Sequence, residues 1–170
     1  TGLRDLMRTV LDETRDLRPV RLDATIESEV RDITQSHEDA VVTIEDLPRV
    51  HVQANQMLSS VFRNILENAI LHNDSDVPKV TVSATEQTNR IEVRISDNGP
   101  GVPEDIREDI FGKGEKGLES KGTGIGLYLV IQLLEEYGGD VWVEDNDPHG
   151  AVFVVELVQV SQAEQHSVEV

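Results

Sequence analysis

Cysteine is absent from this 170-residue chain. That excludes disulfides, thiolate metal sites and cysteine nucleophiles. Aromatic residues make up only 4%, too few for the stacking platforms that hold single-stranded nucleic acid. No apolar run approaches the roughly 20 residues needed to cross a bilayer. The first residues, Thr1-Gly2-Leu3-Arg4-Asp5, carry no signal-peptide core. The chain therefore reads as soluble and cytoplasmic, with no membrane contact of its own; a parent protein could carry membrane segments upstream. Lysine is scarce as well. There are four, and Lys113, Lys116 and Lys121 crowd into one short stretch.

What is abundant is acid. Asp and Glu number 33 against 15 Lys and Arg, a formal charge of −18. A surface this negative repels nucleic acid and anionic lipid. The excess is spread along the chain and reads as adaptation to high salt, where a dense carboxylate surface stays hydrated.

The length suits one main domain with a substantial core. Leu3, Leu6, Met7, Val10 and Leu11 recur at helical spacing, and Pro19 ends that helix. Val20 and Leu22 predict a short strand. Asp23 is the expected N-cap of a helix through Ile26, Val30 and Ile33. Strands are expected at 40–44 and 50–52. Asn55 can cap the next helix, whose Leu58, Val61, Phe62, Ile65, Leu66, Ala69 and Ile70 form the strongest helical pattern in the chain. A hairpin follows, with Val80, Val82 and Ala84 on one arm and Ile91, Val93 and Ile95 on the other. Beyond it come a short helix from Pro103 toward Ile110, a loop at 112–124, a helix at 125–137 closed by Gly138-Gly139, and strands at 141–143 and 151–157. Mixed helices and hairpins predict an α+β fold, a two-layer sandwich with a mixed, mostly antiparallel sheet on about three helices.

Three features carry chemistry. Asn64 and Asn68 sit four apart on the strongest helix, and His72 continues their stripe. Asparagine is a poor helix former, and a row of amides can coordinate a hard cation through oxygen and hydrogen-bond phosphate through nitrogen. Asp97-Asn98-Gly99-Pro100-Gly101 ends an apolar strand. Its glycines let the backbone approach a flat ligand, and a buried carboxylate could accept from an exocyclic amine. Gly122-Thr123-Gly124-Ile125-Gly126-Leu127 opens a helix, where bare N–H groups and the positive dipole end suit phosphate. The dinucleotide fingerprint fails, because Leu127 stands where it wants glycine. The Walker pattern fails as well, because Thr123 stands where it wants lysine. The lysine cluster upstream fits a loop that closes over an anion.

The order Asn64-Ile-Leu-Glu-Asn68, Asp97-Asn-Gly-Pro-Gly101, Ile110-Phe111-Gly112, Gly122-Thr-Gly-Ile-Gly126 and Gly150-Ala-Val-Phe153 resembles the N, G1, F, G2 and G3 boxes of sensor histidine kinases. These share the Bergerat-fold ATPase superfamily with gyrase, heat-shock-90 chaperones and mismatch-repair MutL. The resemblance implies ATP and Mg²⁺ as ligands, with phosphoryl transfer to a histidine governed by positioning and charge neutralisation. It assigns Asp97 to the adenine amine, Gly99 and Gly101 to the base pocket, and Asn68 to Mg²⁺. Asn64 would support the phosphate end, where His72, a departure from the family pattern, could substitute for a missing contact, with the backbone around Gly122, Thr123, Gly124, Gly126 and Leu127 against the triphosphate. Phe111 would anchor the lid, with Lys113 and Lys121 beside the phosphates. Lys116 is the candidate for the γ-phosphate, and Glu67 for assisting proton removal from the acceptor. Gyrase-type and MutL-type enzymes carry a water-activating glutamate where this chain has Asn64, which points to transfer rather than rapid hydrolysis. Leu71 and His72 depart from the Lys-Tyr of many sensor kinases.

By the same resemblance, residues 1–18 are the end of a dimerisation helix, 19–158 the catalytic domain and 159–170 an acidic, flexible tail. The partners would be the dimerisation and phosphoacceptor domain of the same kinase and a response-regulator receiver domain. Ser36-His37-Glu38 imitates a phosphoacceptor box but runs straight into a strand, so the acceptor is expected outside this chain. Asp145, Asp147, Gly150 and Glu156 imitate a calcium loop, but with β-like flanks where helices are required. Asn73-Asp74-Ser75 imitates a glycosylation site. The alternatives are a degenerate nucleotide-binding module, an anti-sigma-type serine kinase, or a salt-adapted interaction domain.

If the acid excess is a salt adaptation, thermal stability rises from low to molar KCl. The screening length then falls from about 10 Å at 0.1 M to about 3 Å at 1 M. A melting series with its maximum at low salt would contradict this reading.

Overall fold

The computed structural model describes residues 16–107, 110 and 124–161. Seven strands and three α-helices lie among them: β1 Arg18–Arg21, α1 Leu22–Ser36, β2 Val41–Ile44, β3 His51–Ala54, α2 Leu58–Leu71, β4 Lys79–Glu86, β5 Arg90–Asp97, α3 Gly124–Tyr137, β6 Asp140–Asp145 and β7 Ala151–Val160, with one 3₁₀ turn at Glu104–Ile106. None of the described helices is long and apolar enough to cross a membrane. The expected helix at residues 3–11 lies outside the described residues.

The strands form one sheet in the order β1-β3-β7-β5-β4-β2, with β6 also on β7. Every pairing is antiparallel except β2 with β4. The α+β sandwich expected from the sequence is the fold observed. Strict alternation builds the central hairpin. Ile91, Val93 and Ile95 are fully buried and pair with the buried Leu157, Val155 and Phe153 of β7. One helical layer covers this face. The apolar stripe of α2, from Leu58 through Ile70, is buried, as are Leu22, Ile26, Val30 and Ile33 of α1. Each large aliphatic so buried contributes about 1.5–3 kcal/mol. Arg63 of α2 reaches Glu29 of α1 at 3.0 Å, fastening the two helices at their polar edge.

Helix starts are where the sequence reading needs correction. Asp23 is not an N-cap. Leu22 opens α1 straight from the strand, and Arg21 occupies the cap position without a side-chain cap. Asp23 sits in the first turn, its carboxylate accepting from Arg21 Nε at 2.8 Å and Nη2 at 2.7 Å. Those bonds hold its carboxyl below the usual range, and a negative charge there also complements the helix dipole. Likewise Asn55 lies before Met57, the cap of α2. Its Oδ1 accepts from Met57 N at 2.9 Å and from the Tyr137 hydroxyl at 2.6 Å. A fully buried phenol at the end of α3 is thus tied to the entry of α2.

The far end of α3 behaves as expected. Gly138 takes φ +77°, Gly139 N donates to Leu134 O at 2.8 Å and Gly138 N to Glu135 O at 3.2 Å. This is the paired pattern of a Schellman stop. β7 runs on to Val160 because its last two residues pair with β3.

Tyr137→Phe keeps the ring and removes one buried hydrogen bond, while Asn55 Oδ1 retains Met57 N. The expected loss is about 1 kcal/mol, a melting shift of about 3 °C for a domain of this size. An unchanged midpoint would show that the hydroxyl contributes nothing.

Candidate functional site

Asp97 closes β5 on the same side of the strand as Ile91, Val93 and Ile95. The alternation that builds the core therefore carries a carboxylate inward, leaving it 8% exposed. Its Oδ1 accepts from Gly99 N at 2.9 Å and Ala151 N at 3.1 Å. Oδ2 accepts from nothing among the described residues. Burial raises the Asp97 carboxyl above the usual carboxylate range, against the lowering effect of the two N–H groups and of His149.

The loop after Asp97 is held from two sides. On one side, Asn98 Oδ1 accepts from Asn73 Nδ2 at 2.7 Å and Lys79 N at 2.9 Å. Ser75 Oγ donates to Asn98 O at 2.9 Å. On the other side lies the β6–β7 turn. Asn146 Nδ2 donates to Asp97 O at 2.7 Å, and His149 Nδ1 lies 3.2 Å from Gly99 O. Gly150, at φ +110°, packs so closely that a methyl group on it would sit 2.0 Å from Asp97 O. That atom is backbone and cannot move aside. Further along, Arg107 donates from Nε to Val102 O at 3.0 Å, from Nη1 to Val143 O at 3.3 Å, and to the Asp145 carboxylate.

A cleft of 270 Å³ opens between this loop and the helices, lined by Asn68 of α2, His72 at its C-terminal cap, Leu127 of α3, and Gly101, Val102 and Ile106. A smaller recess of 30 Å³ adjoins it, walled by Asp97, Ala69 and Phe153 and sharing Asn68, His72 and Gly101. A site with an apolar wall, a neutral amide and one buried acceptor suits a flat heterocycle bearing an amine.

The structure thus brings Asn68, His72, Asp97, Gly101 and Leu127 together, with Gly99 directly behind Asp97. Asn64 is turned elsewhere. Its Nδ2 donates to Ser60 O at 2.7 Å, and its Oδ1 lies where a methyl group on Gly126 would come within 2.3 Å. It packs α2 against the first turn of α3. Glu67 is half-buried on α2 and does not line the cleft. Gly124 begins α3. Phe111, Lys113, Lys116, Lys121, Gly122 and Thr123 lie outside the described residues. Among the described residues no group of three His, Cys, Asp or Glu could hold a metal ion; Asn68 brings a neutral amide to the cleft wall.

Sequence reasoning missed Asn73, Ser75, Asn146 and His149 as supports of this loop. Their signal was present in disguise. Asn73-Asp74-Ser75 imitated a glycosylation site, and Asp145, Asp147, Gly150 and Glu156, which flank Asn146 and His149, a calcium loop. Ser75, Asn146 and His149 meet the backbone of residues 97–99, and Asn73 bonds the Asn98 side chain.

The chain is similar to known proteins in sequence and in fold. Residues 53–161 match the family model described as "Histidine kinase-, DNA gyrase B-, and HSP90-like ATPase". The adaptive-response sensory kinase SasA of Prochlorococcus marinus (strain MIT 9303) is 32% identical over 143 residues, 81% of this chain and 38% of the relative. The chain thus spans well under half of that relative's length. The ATP binding domain of PrrB from Mycobacterium tuberculosis superposes with a TM-score of 0.72 at 26% identity, covering 86% of this chain and 99% of that one. Histidine kinase ThkA, solved in complex with response regulator protein TrrA, superposes with a TM-score of 0.71 at 21% identity, covering 94% of this chain and 48% of that one.

Asp97→Asn tests what the buried charge does to the fold. The amide oxygen can keep both N–H bonds, and the cost of desolvating a charge disappears. With the folded-state value raised, the penalty is full above that value. It fades as pH falls through it and is gone below the ordinary carboxylate value. The variant is therefore expected to melt no lower than the parent at pH 7.5, with any gain shrinking as the pH is lowered. A large loss of stability at pH 7.5 would show instead that the charge itself holds the loop.

Proposed function

Since the chain belongs to the histidine kinase-, DNA gyrase B- and HSP90-like ATPases, and is built as the ATP-binding catalytic domain of a sensor histidine kinase, we propose that it transfers the γ-phosphate of Mg²⁺-bound ATP to a histidine on a dimerisation domain outside this chain. The phosphate then passes to an aspartate of a response regulator, and the domain works in the cytoplasm. The observation that carries the nucleotide site is the buried Asp97 carboxylate beside the cleft, with one oxygen fixed by two backbone N–H groups and the other open to a donor. That half-satisfied acceptor fits the amine of adenine and discriminates against a base that presents a carbonyl there.

The remaining roles follow the cleft outward. Gly99 and Gly101 let the backbone lie close to the base, and Leu127 supplies an apolar wall. Asn68 offers an amide oxygen for Mg²⁺, which when bound neutralises phosphate charge. His72 stands one turn on, near the same phosphates. The N-terminal turn of α3, with Gly124 and Gly126, presents free backbone N–H groups to them. Asn64 supports that turn by packing on Gly126. Gly122, Thr123, Lys113, Lys116 and Lys121 add donors and positive charge, with Lys116 toward the γ-phosphate and Phe111 anchoring the segment that carries them. Glu67 assists removal of the acceptor's proton. The ThkA–TrrA complex supports a response regulator as partner. Exposed Leu71, where related kinases are expected to carry a basic side chain, favours one rival, a module that binds nucleotide without transferring phosphate.

Isothermal titration with a non-hydrolysable ATP analogue, with and without Mg²⁺, tests the site. Saturable binding strengthened by Mg²⁺ is expected, and a folded sample that binds nothing sinks the proposal. Asn68→Ala is expected to lose about tenfold in the presence of Mg²⁺, in line with removing a hydrogen bond to a charged group, and little without it. Equal losses in both conditions would move the metal elsewhere. Mixing the domain with a separately produced dimerisation domain and labelled ATP decides between transfer and binding alone.

A further inference from the structure

The base-recognising carboxylate is held by a turn that has no other evident task. The loop after Asp97 leaves the sheet, so the carbonyls of residues 98–101 lie beyond the strand ladder. Gly99 is buried, and a buried carbonyl left without a donor is costly. His149 Nδ1 meets that carbonyl at 3.2 Å. The carbonyl of Asp97 is met by Asn146 Nδ2 at 2.7 Å. The turn is itself preorganised for this. Asn146 N donates to Gly150 O at 3.0 Å, and Asn146 Oδ1 accepts from Asp147 N at 3.0 Å. Ala151, the first residue after the turn, supplies one of the two N–H groups on the carboxylate. Neither Asn146 nor His149 lines the cleft.

We propose that Asn146 and His149 are positioning residues for base selection. They clasp the Asp97–Gly101 loop from the β6–β7 turn and aim the Asp97 carboxylate at the amine of the bound purine. This rests on the nucleotide-binding reading above. Asn146 fixes the backbone from which the carboxylate springs. His149 fixes the backbone two residues on, whose N–H group grips the same carboxylate. Loosening either lets the carboxylate swing, which weakens the one hydrogen bond specific to a 6-amino purine. The groups that meet sugar and phosphate stay in place.

The test compares the β,γ-imido analogues of ATP and of inosine triphosphate, which has a carbonyl in place of the amine. Titration is run on the parent, Asn146→Ala, His149→Ala and His149→Asn, each with its thermal midpoint recorded. The parent is expected to favour the adenine analogue by about tenfold or more, the worth of a hydrogen bond to a charged group. Each alanine variant is expected to lose about fivefold of that preference, the worth of one neutral hydrogen bond, with inosine-analogue affinity unchanged. His149→Asn, whose amide nitrogen can stand where Nδ1 stood, is expected to restore it. If Asn146→Ala does not fold, Asn146→Asp removes the same donor at the same size. A preference that survives in folded alanine variants overturns the proposal, as does an equal loss for both analogues. A parent that binds neither analogue, or both equally, instead overturns the nucleotide reading on which the proposal stands.

Discussion

The site depends on one carboxylate placed where the fold wants an aliphatic side chain. Asp97 occupies the next core-facing position of β5 after Ile91, Val93 and Ile95. Alternation along the strand leaves it no other direction. A charge so placed is unfavourable unless hydrogen-bonded, and the chain meets that need with the N–H groups of Gly99 and Ala151. Those bonds bring together the end of β5 and the start of β7, and the loop between β5 and the 3₁₀ turn takes its shape from them. The residual cost appears as a carboxyl raised above its ordinary range.

Close packing of glycines sets the remaining distances. A methyl group on Gly150 would meet Asp97 O at 2.0 Å, and one on Gly139 would meet Glu156 O at 2.2 Å. Both obstacles are backbone, so neither can yield cheaply. The first brings the β6–β7 turn onto the Asp97–Gly101 loop; the second brings the end of α3 onto β7. Gly126 differs, because it meets the Asn64 side chain. There the two conspicuous sequence motifs of helix α2 and helix α3 touch each other directly. Asn64 thereby fixes where the N-terminus of α3 points.

In a chain of charge −18, the described cations are used sparingly. Arg21, Arg63, Arg90, Arg94 and Arg107 each pair with a carboxylate. Several of these ties are structural. Arg90 also donates to Gly138 O at 3.1 Å, and Arg107 spans from the cleft rim to β6. Arginine suits such work because its planar fork serves several acceptors at once. Exposed members of the set contribute little individually. Their value lies in joining elements that the sheet does not join.

The helix and strand pattern was legible because burial imposes periods of 3.6 and 2, and the apolar stripes of α1, α2, β4 and β5 obey them. Asp97 and Asn68 stood out too, because a carboxylate at a core-facing strand position and an asparagine inside a helix are unusual for the elements that carry them. The helix caps were misread where local chemistry allows several partners, and other contacts were undecided for the same reason. Asp23 could cap a helix or pair with Arg21, and only the strand running into α1 without a break selects the second. Asn64 and Asn68 share one helix face, yet the crossing of α3 over Gly126 turns one to packing and leaves the other at the cleft. Asn146 and His149 gave no legible sign of their contacts, because a turn's polar side chains carry no record of what lies across from them. The sequence by itself therefore determined the elements, the core and the acceptor carboxylate, since these follow from periodicity and residue type along the chain. Which polar groups meet around that carboxylate was decided only by the tertiary structure, because such bonds join residues some 50 positions apart that only sheet pairing brings into reach.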